Sequence, residues 1–179
     1  MNILVYLGSK TGKDKIYTEA ATEVADWIVE NGHNLVYGGN AKGLMGVLAK
    51  RVKEKGGKVI GVMPEFLLEI EERYEECDEY ILTQTMQERK DKVRDLSQVC
   101  LAIPGGPGTM EEITEAYSLY LVGQNPNPCI LYNKNGYYDN LERMYDDMVR
   151  EGFLDEEARK DFLFSDDFAE IETFIQERL

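Results

Sequence analysis

The chain has 179 residues, 43% of them hydrophobic. That is enough to fill one core, and the length lies within the roughly 100 to 200 residues of a single compact domain, here expected to take in the whole chain. Its formal charge is -14, from 20 lysines and arginines against 34 aspartates and glutamates. Such a field argues against nucleic acid and an anionic membrane as partners, since both are engaged through basic patches. An anionic small molecule fits only where uncharged donors outweigh the field, and main-chain N–H groups at helix N-termini are donors of that kind. The opening "MNILVYLG" carries no basic leader and no segment reaches the ~20 apolar residues of a membrane span, so a cytoplasmic protein is expected. Cys77, Cys100 and Cys129 stand at wide spacings with no CxxC pair. This predicts buried thiols, with neither a disulfide framework nor a metal site.

In chain order, "ILVYLG" reads as a strand followed by an amphipathic helix over 13–31, and "NLVYGG" as a strand followed by a helix over 43–55. "KVIGVMP", "EYILT" and "VCLAIPGG" are three more strands, each expected to lead into a helix of its own. "PCILYN" precedes a helix near 138–151, and a last helix covers about 167–178. This alternation predicts a doubly wound α/β fold, a Rossmann-like parallel sheet with helices on both faces. "GQNPNP" at 123–128 is a loop set by its asparagines and prolines. The only histidine, His33, comes directly after Gly32 at the end of the first helical pattern and reads as part of a helix stop.

In sheets of this kind ligands bind beyond the carboxyl ends of the strands. The glycines gather on that edge: Gly8 and Gly12 after the first strand, Gly38, Gly39, Gly43 and Gly46 after the second, Gly105, Gly106 and Gly108 after the fifth. Glycine lets a ligand approach the main chain with no Cβ in the way, although plain turns use glycine as well. "GSKTGKD" is not a P-loop, because three residues rather than four separate its glycines and Asp14 stands where Ser or Thr belongs. "GGPGTMEE" is not a dinucleotide fingerprint, because Glu111 occupies the place of the third glycine.

Two features remain. Thr109 and Glu112 have the T-x-x-E spacing of a capping box, which would give the glutamate a purely structural task, whereas the glycine run before them points to a ligand. In "TQTMQERKDKVRDLSQ", helical spacing puts Met86, Arg89, Lys90, Val93 and Leu96 on one face. Its two cations either snorkel over apolar surface or face a cleft that holds an anion.

With these motifs the chain resembles the LOG (Lonely Guy) family, the cytokinin riboside 5'-monophosphate phosphoribohydrolases, often labelled lysine decarboxylase-like. The family's PGGxGTxxE motif is matched by Pro104, Gly105, Gly106, Gly108, Thr109 and Glu112, and its Met-x-x-Arg-Lys element by Met86, Arg89 and Lys90. "YLGSKTGKD", "YGGNAKGLMG" and "GVMPEFL" are similar to further family segments, so that the resemblance spans about residues 1–150. It implies cleavage of the N-glycosidic bond of a nucleoside 5'-monophosphate without metal or organic cofactor. Arg89 and Glu112 are then the catalytic pair, and Gly8, Ser9, Gly39, Met86, Lys90, Gly105, Gly106, Gly108 and Thr109 are substrate-binding residues. An oxocarbenium-like sugar gains from a nearby carboxylate, by charge stabilisation or by activation of water. Arg89, a permanent cation, orients the ligand or stabilises departing negative charge.

The chain departs from the family pattern at Asn40, where a third glycine is usual, at Gln87, where histidine is frequent, and at Lys10, where serine is frequent. No lysine sits in a pyridoxal phosphate motif, so the decarboxylase label finds no support. The alternative from another class is a carrier or sensor that binds a nucleotide or phosphorylated cofactor without turnover, similar to the molybdenum-cofactor carrier proteins. It needs the glycines but not the Arg89 and Glu112 pair. The resemblance also implies a homodimer, for which Ile113, Ala116, Tyr117, Tyr120 and Leu121 offer an apolar and aromatic surface to pack on the sheet and on a partner.

Overall fold

A computed structural model describes every residue, Met1–Leu179. The strands β1 (Asn2–Tyr6), β2 (Asn34–Tyr37), β3 (Val59–Pro64), β4 (Glu79–Thr83), β5 (Val99–Ala102), β6 (Cys129–Tyr132) and β7 (Phe162–Ser165) form one sheet. Their order is β4-β3-β2-β1-β5-β6-β7, and every pair is parallel. The inner strands β3, β5 and β6 are buried along their whole length, as their unbroken apolar runs require when both faces of a sheet are covered. Helices α1 (Ile16–Glu30), α2 (Gly43–Glu54) and α7 (Phe168–Gln176) cover one face, packing Val24, Ile28, Leu48 and Phe174 against Leu35 and Tyr37. Helices α3 (Met86–Asp95), α4 (Pro107–Leu121) and α5 (Asp139–Arg150) cover the other, packing Val93, Ile113, Tyr117 and Tyr145 against Leu4, Cys100 and Leu131. A single turn, α6 (Glu156–Arg159), precedes β7.

The strand order reverses between β1 and β5, which run side by side with Ile3 opposite Val99 and Tyr6 opposite Ala102. Their connections leave to opposite faces, and the crevice this opens is where ligands of such sheets bind. The doubly wound expectation holds. His33 also sits as expected: its N–H donates to Ile28 O at 2.8 Å to close α1, and its ring meets Trp27 edge-on at 5.6 Å.

Four expectations need correction. The helix expected after β3 is only a 3-10 turn, Glu65–Glu69, none of whose residues is buried: Leu67, Ile70 and Tyr74 keep helical spacing, but the chain beyond the turn bonds instead to the β2–α2 connection, Tyr74 N–H donating to Gly39 O at 2.9 Å and Ala41 N–H to Glu72 O at 2.7 Å. The edge strand β7 went unread. Its four residues sit in the charged stretch "RKDFLFSDD", and they pair only with β6. Helix α4 opens at Pro107, ahead of Thr109, with proline in the first turn, where its missing N–H costs nothing. Finally, Ile113, Ala116 and Tyr117 lie in the core of the monomer, so of the apolar surface expected for a partner only Tyr120 and Leu121 remain accessible. Cys100 and Cys129 are buried and Cys77 is half-buried, all three as free thiols. No helix is long and apolar enough to cross a membrane.

Candidate active site

A cleft of about 450 Å³ opens at the reversal point. Its walls come from the β1–α1 loop (Gly8, Ser9, Lys10), the β2–α2 connection (Gly38), the β5–α4 loop with the first turn of α4 (Gly105 to Thr109), and Met86, Arg89 and Glu112 of the helices on the second face. The first and third loops meet main chain to main chain. A Cβ on Gly105 would stand 2.2 Å from Thr109 Oγ1 and 3.0 Å from Gly8 N, so no larger residue fits there. Gly106 and Gly108 differ: a Cβ on either would meet nothing within 4 Å, and neither has a positive φ. Neither packing nor backbone conformation asks for glycine at those two positions, and both line the cleft. The N–H groups of Gly106, Gly108 and Thr109 have no acceptor in the protein, and α4 has no side-chain cap. A helix N-terminus with free donors and the positive end of its dipole exposed is an anion site.

Since α4 starts at Pro107, Thr109 lies within its first turn and is not a cap. The Thr109–Glu112 capping box therefore does not form. A reciprocal clasp of this kind does form on α3, where Thr85 Oγ1 accepts from Glu88 N at 3.1 Å and Glu88 Oε2 accepts from Gln84 N at 2.8 Å. That clasp fixes the start of α3 and with it the direction of Met86 and Arg89.

Arg89 Nη2 lies 2.9 Å from Glu112 Oε1, with each side chain only 10% exposed. Nη1 donates to Met86 Sδ at 3.2 Å, a weak acceptor, and the buried Nε has no partner. Gly38 makes room for the guanidinium, since a Cβ there would sit 3.0 Å from Nη2. Burial pushes the Glu112 carboxyl above the ordinary glutamate range; Arg89 pulls it back and Glu111 pushes it further up. The cleft thus holds a buried carboxylate with one oxygen committed to an arginine, beside a cation whose donors are only partly met.

The remaining expected site residues divide. Gly8, Ser9, Met86, Gly105, Gly106, Gly108 and Thr109 border the cleft together with Arg89 and Glu112, whereas Lys90 and Gly39 do not. Lys90 turns away to Glu111 at 2.7 Å and Glu115 at 2.9 Å, because successive residues of a helix point about 100° apart. Gly39, at φ 77°, shapes the β2–α2 turn and accepts the Tyr74 N–H at 2.9 Å, and Gly38 is the glycine that reaches the cleft. Of the three departures only Lys10 lines the cleft: Asn40 Oδ1 accepts from Lys42 N at 2.8 Å, and Gln87 donates to Asp91 at 3.1 Å.

Tyr17, Met45, Leu67, Glu71 and Tyr137 line the cleft too, and sequence reasoning missed them. Tyr137 had a usable signal, since "NKNGYYDN" follows β6 on the same sheet edge. Tyr17, on the first helix, had none beyond helical spacing.

A family described as "Possible lysine decarboxylase" matches residues 45–174. A probable cytokinin riboside 5'-monophosphate phosphoribohydrolase of Oryza sativa subsp. japonica is 37% identical over 98% of this chain and 76% of its own length. A cytokinin riboside 5'-monophosphate phosphoribohydrolase of Arabidopsis thaliana is 38% identical over 90% of this chain and 71% of its own. Among solved structures, a molybdenum cofactor carrier protein from Chlamydomonas reinhardtii superposes with a TM-score of 0.70 at 24% identity over 98% of each chain, a likeness of fold. Sharing that family match and this level of identity with the phosphoribohydrolases, the chain belongs to the LOG family.

Proposed function

We propose that the protein hydrolyses the N-glycosidic bond of a nucleoside 5'-monophosphate, releasing the free base and ribose 5-phosphate. The observation that carries this reading is the buried Arg89–Glu112 pair set beside a helix N-terminus with uncommitted N–H groups, in one cleft. A phosphate at the start of α4 would place the attached sugar against Glu112, five residues further along from Pro107. As the C1'–N bond breaks, its electron pair leaves with the base, which takes up a proton. The oxygen of water bonds to C1' and gives up a proton in turn. Glu112 serves by opposing the positive charge on the sugar or by taking the proton from water. Arg89 opposes the burial that raises the Glu112 carboxyl and offers its spare donors to substrate.

Adenosine monophosphate and the cytokinin riboside 5'-monophosphates named for the relatives are the first substrates to try. A carrier would need the same loop but would have no use for a buried carboxylate and arginine facing the sugar position. Incubation with a panel of nucleoside monophosphates and the matching nucleosides, followed by chromatography for free base, tests the reading. Cleavage of monophosphates alone supports it; tight binding of a monophosphate with no base released would establish a carrier instead. A cytoplasmic location and a homodimer belong to the same reading, the latter supported by the exposed Leu121 and Val122 at the end of α4. Light scattering that shows only a 20.5 kDa species at micromolar concentration would reject the dimer.

A further inference from the structure

Tyr137 stands on the wall of the cleft as a residue 42% exposed, and its hydroxyl donates to Gly105 O at 2.6 Å. The ring is held on two sides, edge-on to Tyr17 at 5.6 Å and to Tyr138 at 5.0 Å. The turn that presents it is tightly built. Asn135 and Gly136 take successive left-handed conformations at φ 54° and 67°, and Asn133 Oδ1 accepts the Tyr138 N–H at 2.7 Å. A side chain placed with this care makes one polar contact, and that contact is to the glycine loop.

The consequence follows from peptide geometry. The Gly105–Gly106 peptide is trans, so its C=O and N–H point in opposite directions. With the carbonyl tied to Tyr137, the Gly106 N–H faces away from that ring, and it has no acceptor in the protein. A peptide flanked by two glycines is the easiest kind to flip, because neither residue resists either sign of φ. The Tyr137 hydrogen bond selects one of the two orientations. We infer that Tyr137 is a positioning residue for the 5'-phosphate: by holding the Gly105 carbonyl it keeps the Gly106 N–H turned out as a donor to a phosphate oxygen. This rests on the phosphoribohydrolase reading for the identity of the ligand.

Tyr137→Phe removes the hydroxyl and keeps the ring. We expect KM for adenosine monophosphate to rise about tenfold, the scale of one hydrogen bond to a charged group, with kcat within about threefold of the parent. The dissociation constant of ribose 5-phosphate, measured by calorimetry, should rise by a similar factor. Inhibition by free adenine should not change, because adenine has no phosphate, and the melting temperature should stay within a few degrees. Tyr138→Phe is the companion: its buried hydroxyl donates to Ile103 O at 2.8 Å, so its loss should lower the melting temperature and spare the preference for phosphate. Equal weakening of ribose 5-phosphate and adenine by Tyr137→Phe, or no change in either, would overturn the assignment. A parent that binds ribose 5-phosphate but cleaves no monophosphate would remove the hydrolase reading alone, since calorimetry still tests Tyr137. A parent that does not bind ribose 5-phosphate would overturn both.

Discussion

Arg89 and Lys90 are neighbours on α3, and both meet glutamates of α4, yet the two pairings are built differently. Lys90 reaches two carboxylates, Glu111 and Glu115, and Arg94 shares the second at 2.9 Å, so each charge in the group has partners. Glu111 is 56% exposed, and water screens what the pairing leaves. Arg89 reaches one carboxylate, one thioether and, at Nε, nothing, while burial works against the charge on its partner. The first arrangement clamps two helices together. The second costs the fold stability and leaves interactions unmade, which is the state expected of groups whose remaining partner is a substrate.

The largest effect should come from Glu112→Gln, which keeps the shape and an acceptor oxygen while removing the charge. Turnover of a susceptible monophosphate should fall by at least ~100-fold, with ribose 5-phosphate still bound. Turnover within threefold of the parent would return Glu112 to the same class as Glu111 and Glu115. The pH behaviour sharpens the point. A raised carboxyl pKa means that the parent loses activity on the acid side at a pH above the ordinary glutamate value of about 4.3. For stability, a group whose folded pKa exceeds its unfolded pKa contributes most below the unfolded value, and that contribution is lost as pH rises through the folded one. Glu112→Gln has no such loss. It should therefore gain stability relative to the parent as pH rises from about 4 to neutrality, read from denaturant midpoints. A relative loss over that range would show that the ion pair outweighs burial.

Gly106→Ala should act next most strongly. Its backbone, at φ -92°, suits alanine, and the new Cβ meets no protein atom within 4 Å. Folding should be unaffected, and any change reports on the ligand. A methyl group beside the α4 N-terminus should raise KM for the monophosphate by about tenfold, while Gly105→Ala, which forces a Cβ to 2.2 Å from Thr109 Oγ1, should damage the loop itself. Unchanged KM in Gly106→Ala would mean that the phosphate lies elsewhere in the cleft.

The same contrast explains what could be read in advance. The five inner strands announced themselves because burial on both faces demands unbroken apolar runs, the edge strand β4 only by its short "YIL" run, since Thr83 alone of its residues is buried, and the edge glycines because a turn or a ligand must meet bare backbone. The pairing of Arg89 with Glu112 followed only from family resemblance, as they lie 23 positions apart and local spacing is silent on which α3 cation faces which α4 carboxylate. Local pattern in fact put Lys90 beside Arg89 and gave Glu112 a cap that it does not form. Tertiary placement decided both cases: α4 began ahead of Thr109, and Lys90 found Glu111 and Glu115 within reach. Phe162–Ser165 escaped because a four-residue edge strand in charged surroundings has too few residues to show a period.

The smallest expected effect lies on the Lys90 side. Lys90→Met should cost about 1 kcal/mol of stability and leave the plateau turnover within about threefold, since the ammonium does not line the cleft. It should still be felt at one remove. The positive charge of Lys90 helps to hold the Glu112 carboxyl down, less strongly than Arg89 does, and the negative charge of Glu111 pushes it up. Lys90→Met should accordingly move the acid limb of activity to higher pH, and Glu111→Gln should move it to lower pH, with the same plateau in both variants. Opposite displacements at constant plateau would identify Lys90 and Glu111 as charges that act through Glu112. A collapse of the plateau in Lys90→Met, comparable to that of Glu112→Gln, would put Lys90 in contact with the substrate and erase the distinction between the two pairs.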